Sequence, residues 1–104
     1  MQRLAFKMKL NPGQEEAYTK RHKELWPELK LLLKESGVSE YSIFLDEETH
    51  TLFAFQKLSG DASSQDLAEN HIVKKWWAYM ADLMETNPDN SPVFLTLKEV
   101  FYME

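Results

Sequence analysis

Val38-Ser39-Glu40-Tyr41-Ser42-Ile43-Phe44-Leu45 and Thr51-Leu52-Phe53-Ala54-Phe55-Gln56-Lys57-Leu58, joined by the polar stretch Asp46-Glu47-Glu48-Thr49, read as a β-hairpin. Alternation sets Tyr41, Ile43 and Leu45 on one side of the first strand and Ser42 and Phe44 on the other. Helical patterns flank the hairpin. Before it, Tyr18, His22, Leu25, Trp26, Leu29, Leu32 and Leu33 recur at spacings of three and four, which is one helix face. Asn11 is the expected cap of that helix, Pro12 suits its first turn, and Gln14 completes a variant of the capping box. Pro27 predicts a kink or break near Trp26, and Gly37 a C-terminal stop. Further upstream, Leu4, Phe6, Met8 and Leu10 alternate with Arg3, Ala5, Lys7 and Lys9, the period of a half-buried strand.

After the hairpin, Ser59-Gly60-Asp61-Ala62-Ser63-Ser64 reads as a loop and residues 65–84 as a second helical region, broken near Asn70-His71. It carries Ile72, Trp76, Tyr79, Met80 and Leu83 along one side, flanked by Val73, Trp77 and Met84. Asn87-Pro88-Asp89-Asn90-Ser91-Pro92 is turn-rich, and residues 93–103 are expected to form a last strand. The order β-α-β-β-α-β is the split pattern of ferredoxin-like α+β domains, with an antiparallel four-stranded sheet and both helices on one face. Phe53 and Phe55 oppose Leu52 and Leu58, and Phe94 and Val100 oppose Leu95 and Phe101, so both faces of the sheet are apolar. Two helical layers cover one face only. A second copy packed sheet to sheet would cover the other.

At 104 residues the chain has room for one domain with its own core. The absence of cysteine excludes disulfides, thiolate zinc sites and a cysteine nucleophile. A formal charge of −5 with no basic stripe argues against nucleic acid. The first residues alternate instead of forming an apolar leader, and no apolar run reaches bilayer-spanning length. A cytoplasmic protein with no membrane partner is the expectation. His22, His50 and His71 lack close metal-ligand spacing, and the three glycines form no phosphate loop, so neither metal nor cofactor is expected.

Adjacent helical residues lie about 100° apart, so Trp76 and Trp77 cannot share one narrow stripe. One ring can anchor the core while the other sits at its margin, where a flat indole suits the hydrocarbon face of a sugar. Taken by itself, the pair is more simply explained by packing or a subunit interface. His22 lies one turn after Tyr18 and one before Trp26, on the side expected to face the sheet, and Tyr41 points from a strand toward the same space. An imidazole among phenols and indoles can give and take a proton near neutrality. From spacing alone, a hydrogen-bonded histidine at the core margin is the simpler reading. His50, in the hairpin turn, is expected to be solvated, and His71 is a weaker acid–base candidate.

Arg21-His22, Leu25-Trp26-Pro27-Glu28-Leu29, Tyr41-Ser42-Ile43-Phe44-Leu45-Asp46, Lys75-Trp76-Trp77-Ala78-Tyr79-Met80, the Asn87 to Pro92 block and Glu99-Val100-Phe101-Tyr102 together resemble the L-rhamnose mutarotase family. The blocks run from the first strand to the last. Residues 58–71 depart most from the family pattern, with His71 where no histidine is expected. The resemblance implies a homodimeric α/β barrel of two ferredoxin-like subunits. It also implies His22 as proton donor and Tyr18, Tyr41, Trp76 and Trp77 as the residues binding L-rhamnose. Mutarotation exchanges α and β anomers through the open-chain aldehyde. A proton must reach the ring oxygen and another must leave the anomeric hydroxyl. Two other readings compete: a non-catalytic sugar-binding or dimerisation module, and a haem-degrading monooxygenase on a similar dimeric barrel.

Overall fold

The structure is a computed structural model that describes residues 2–60 and 62–104. Met1, and Asp61 of the expected 59–64 loop, lie outside them. Four strands form one sheet in the order β2-β3-β1-β4, with β1 at Gln2–Lys9, β2 at Val38–Asp46, β3 at Thr51–Leu58 and β4 at Phe94–Thr96. Every pairing is antiparallel. Phe6, Met8, Leu52, Ala54 and Leu58 are buried on the helix-facing side, in the register that alternation requires. Three helices lie along the chain: α1 at Glu15–Lys23, α2 at Pro27–Glu35 and α3 at His71–Met80. This is the α+β, ferredoxin-like arrangement.

Pro27 breaks the first helical stretch as its chemistry demands. Trp26 is extended (φ −60°, ψ 129°) and Pro27 opens α2 as its first residue. Gly37 follows α2 at φ +95° and accepts a hydrogen bond from the Ser59 N–H at 2.9 Å through its carbonyl. An added Cβ at Gly37 would collide with Ser59 Oγ and would hold an L-residue in the left-handed region. Gly37→Ala is expected to cost about 1–2 kcal/mol, read as a lower denaturant midpoint at unchanged slope.

Four expectations are corrected. Asn11 does not cap α1. Its side chain donates to the Asp82 carbonyl at 3.3 Å, its own carbonyl closes a turn on the Gln14 N–H, and α1 begins at Glu15. The second helical region does not begin at Gln65. Ser64–Asp66 is a single 3-10 turn and α3 starts at His71, capped by the Asn70 side chain on the Ile72 N–H at 2.8 Å. Tyr79 is 43% exposed, because the buried arc of α3 runs through Val73, Trp76, Trp77 and Met80 instead. The last strand spans three residues, not eleven. After Leu97 donates to the Ala5 carbonyl, the tail leaves the ladder and is held by side chains: Arg3 pairs with Glu99 and lies over the Tyr102 ring, 3.4 Å from its centroid.

The other face of the sheet is open. Phe44 and Phe53, cross-strand partners, are 68% and 39% exposed there, and Leu95 lies in the same row beyond Lys7.

Candidate active site

Between α1, α2 and α3 the helix layer parts over the sheet, leaving a cleft of about 850 Å³, a size suited to a small organic ligand. Tyr18, His22, Tyr41, Trp76 and Trp77 all line it, so the fold brings every expected site residue together. His71 opens α3 on the exposed surface. His50 is half-buried instead of solvated, 3.7 Å from Glu15 Oε1 through Nδ1. The hairpin turn bends it inward at φ 56°.

His22 sits in the last turn of α1. Its Nδ1 lies 3.0 Å from the Tyr18 carbonyl oxygen one turn back. A carbonyl only accepts, so Nδ1 carries the proton and Nε2 is the nitrogen left with a free lone pair. The imidazole lies 4.3 Å from the Tyr18 ring and meets Trp76 edge-on at 5.4 Å. Burial among these rings holds its pKa below the usual histidine value, and the Tyr18 carbonyl pulls it only partly back. His22 is therefore neutral near pH 7, poised first as an acceptor.

The wall behind it is aromatic. Trp26 packs edge-on to Trp76 at 5.1 Å and stacks on Tyr79 at 5.6 Å. Arg21 covers the Tyr79 ring at 4.4 Å and ties down the end of α3 through the Tyr79 carbonyl and Asp82. Trp76 and Trp77 are both buried in the core, correcting the expectation that one would sit at its margin. A wide apolar arc on α3 accommodates both, and each still presents surface to the cleft.

Tyr41 owes its position to a β-bulge. Ser39 pairs with Lys57 and Ser42 with Phe55, so Glu40 and Tyr41 together oppose Gln56. Glu40 takes up the extra residue at φ 45°. Burial raises the Tyr41 pKa, and Tyr18 is raised likewise, so both phenols stay protonated near neutrality. Gln56 and Ser64 were missed as site residues. The available signal was parity: Gln56 shares the inward row of Leu52, Ala54 and Leu58, where an amide is out of place. Asn90 and Pro92 also line the cleft, from a loop pinched by Asn87–Ser91 hydrogen bonds. Among the described residues no cluster of three metal-ligating side chains occurs, and no helix is long and apolar enough to cross a membrane.

Fold and site together define a ferredoxin-like α+β domain whose sheet floors a cleft walled by indoles, phenols and one neutral imidazole. Comparison with known proteins sharpens that definition. The family model for L-rhamnose mutarotase matches residues 3–103. The L-rhamnose mutarotase of Formosa agariphila is 73% identical over 104 residues, covering all of both chains, and that of Bacteroides thetaiotaomicron is 62% identical over the same span. A crystal structure of an L-rhamnose mutarotase from Formosa agariphila superposes with a TM-score of 0.93 at 70% identity, again covering both chains fully. The chain belongs to the L-rhamnose mutarotase family.

Proposed function

We infer that this protein is an isomerase that interconverts the α and β anomers of L-rhamnopyranose, with His22 moving the proton and Tyr18, Tyr41, Trp76 and Trp77 holding the sugar. Family membership supports the reaction. The observation that supports the site is the neutral imidazole, anchored through Nδ1 and lining a cleft with all four aromatic residues. The other two readings, a sugar-binding module without catalysis and a haem-degrading oxygenase, are not favoured by that membership.

The chemistry balances on one imidazole. Nε2 takes the proton of the anomeric hydroxyl, and the resulting imidazolium donates it to the ring oxygen as the C1–O bond breaks. The aldehyde turns about C1–C2. On closure the same nitrogen takes the proton of the attacking hydroxyl and returns it to the aldehyde oxygen, leaving His22 neutral. Both sugar oxygens share C1, so a single nitrogen can serve them. His22 remains the proton donor to the ring oxygen, but it acquires that proton from the substrate. The rings supply orientation, stacking on the sugar's C–H face.

Saturation-transfer NMR on L-rhamnose tests this directly: the protein should raise anomer exchange well above the buffer rate. Exchange at the buffer rate with rhamnose bound would leave only a binding module. A pH series should show kcat/KM falling on the acidic side with one ionisation below about 6.5, the ordinary histidine value. Stability shifts in the same direction. The unfolded chain binds the His22 proton more readily than the folded one, so stability is lost as pH falls from about 6.5 through the lowered folded pKa.

We further infer a homodimer formed across the open sheet face, giving a dimeric α/β barrel. Supporting it are the exposed Phe44, Phe53 and Leu95 and the apolar tail residues Val100, Phe101 and Tyr102. A cytoplasmic setting accords with a chain free of cysteine.

A further inference from the structure

Gln56 is fully buried in a row of apolar side chains, and a buried amide without partners costs about 1–3 kcal/mol. Its partners reveal a direction. The Ser64 backbone N–H can only donate, and it donates to Gln56 Oε1 at 3.3 Å. That fixes the amide, so Gln56 Nε2 donates to Ser64 Oγ. Gln65 Nε2 donates to the same oxygen at 3.2 Å. A hydroxyl with both lone pairs engaged has only its proton left to give. Tyr41 is the neighbour placed to receive it: the bulge sets it opposite Gln56, it lines the cleft beside Ser64 and Gln65, and Ser64 and Gln56 both favour its phenolate as hydrogen-bond donors do.

The arrangement is built locally. Ser63 and Asp66 form a capping box, with Ser63 Oγ accepting from the Gln65 N–H at 3.1 Å and Asp66 accepting from the Ser63 N–H at 2.8 Å. This pins the 3-10 turn that presents Ser64 and Gln65. The bulge opposite Gln56 supplies Tyr41 from the other side.

We propose that Gln56 and Ser64 are positioning residues that orient the Tyr41 hydroxyl, saturating its oxygen from behind so that its proton faces the cleft as a donor to the sugar's ring oxygen. The inference rests on the mutarotase reading of the cleft. The pyranose ring oxygen carries no hydrogen and can only accept, unlike each hydroxyl. Tyr41 would polarise it while His22 Nε2, an acceptor, addresses the anomeric hydroxyl. The phenol keeps its proton throughout; it stabilises the opening bond and transfers nothing. His22 and Tyr41 thus have opposite hydrogen-bonding polarity, matched to the two oxygens on C1.

The test is kcat and KM for L-rhamnose anomer exchange in wild type, Tyr41→Phe, Ser64→Ala, the Tyr41→Phe/Ser64→Ala double variant, Ser64→Thr and Gln56→Glu. Tyr41→Phe and Ser64→Ala should each lower kcat, Tyr41→Phe by about tenfold, the rate equivalent of one hydrogen bond, with little change in KM. The double variant should be no slower than Tyr41→Phe alone, because Ser64 acts only through Tyr41. Ser64→Thr, which keeps the hydroxyl, should restore kcat. Gln56→Glu is nearly isosteric, but its carboxylate only accepts. It should draw the Ser64 proton away and lower kcat as Ser64→Ala does. Wild-type kcat in Ser64→Ala, or losses that multiply in the double variant, overturn the positioning role and leave the mutarotase reading intact. A wild-type protein without exchange overturns both.

Discussion

His22→Ala is expected to slow L-rhamnose anomer exchange by about 10²–10⁴-fold, equivalent to about 3–5 kcal/mol of barrier. Sugar anomers already exchange in water, so one positioned proton-transfer group is a sufficient catalyst and its removal takes away most of the rate. Among the described residues, the one carboxylate lining the cleft, Glu40, is engaged by Lys57 at 2.8 Å. Burial keeps Tyr18 and Tyr41 protonated and thus poor as bases. The folded state should survive the change. His22 is not in the buried core, and its main contacts are the Tyr18 carbonyl and two neighbouring rings. A loss of about 1–2 kcal/mol is expected, measured by chemical denaturation. Rhamnose binding should persist, because the aromatic wall is intact. Full exchange in the variant would remove the catalytic role. A large stability loss with exchange preserved would return His22 to the packing reading.

Phe44→Asp/Phe53→Asp should convert the proposed dimer to a folded monomer. The two residues are cross-strand partners on the open face, so the substitutions place two carboxylates side by side at the centre of the proposed interface. A two-fold interface presents each change twice. Four charges then enter one interface, and with interface anchors costing about 2 kcal/mol or more each, affinity should fall by at least about a thousandfold. Neither side chain belongs to the buried core, so circular dichroism should stay native while sedimentation shows half the wild-type mass. Persistence of the dimer at micromolar concentration would mean that the copies meet through another surface.

Much of the fold was legible because local physics decides it. The alternation of Leu4, Phe6, Met8 and Leu10, the hairpin around Asp46-Glu47-Glu48-Thr49, the break at Trp26-Pro27 and the stop at Gly37 each depend on residues within a turn or a strand of one another. The errors share an origin. The end of the last strand was misjudged because Val100, Phe101 and Tyr102 alternate like a strand. β4 pairs only with Phe6–Met8 although β1 continues to Gln2, and the tail beyond Leu97 is held by the Arg3 side chain instead. Periodicity sets Tyr79 on the same side of α3 as Trp76 and Met80, yet it turns out toward Arg21 and Trp26. Asn11 has a good cap's chemistry and spends it on Asp82, 71 residues away.

Of the site, the sequence pattern named the chemical types: one imidazole, two phenols and an indole pair. The family resemblance supplied their roles. Their meeting was a matter for the packing of α1 and α3 on the sheet, which brings His22 against Trp76 across more than fifty positions. The state of the imidazole also belongs to tertiary structure, because burial and a carbonyl one turn back fix which nitrogen holds the proton. So does the hydrogen-bond chain behind Tyr41, which needs a bulge on β2, an amide on β3 and a capped turn before α3 in one place. Periodicity reports which face of an element is apolar. It carries no term for which polar atoms, far apart along the chain, will share the space that those faces enclose.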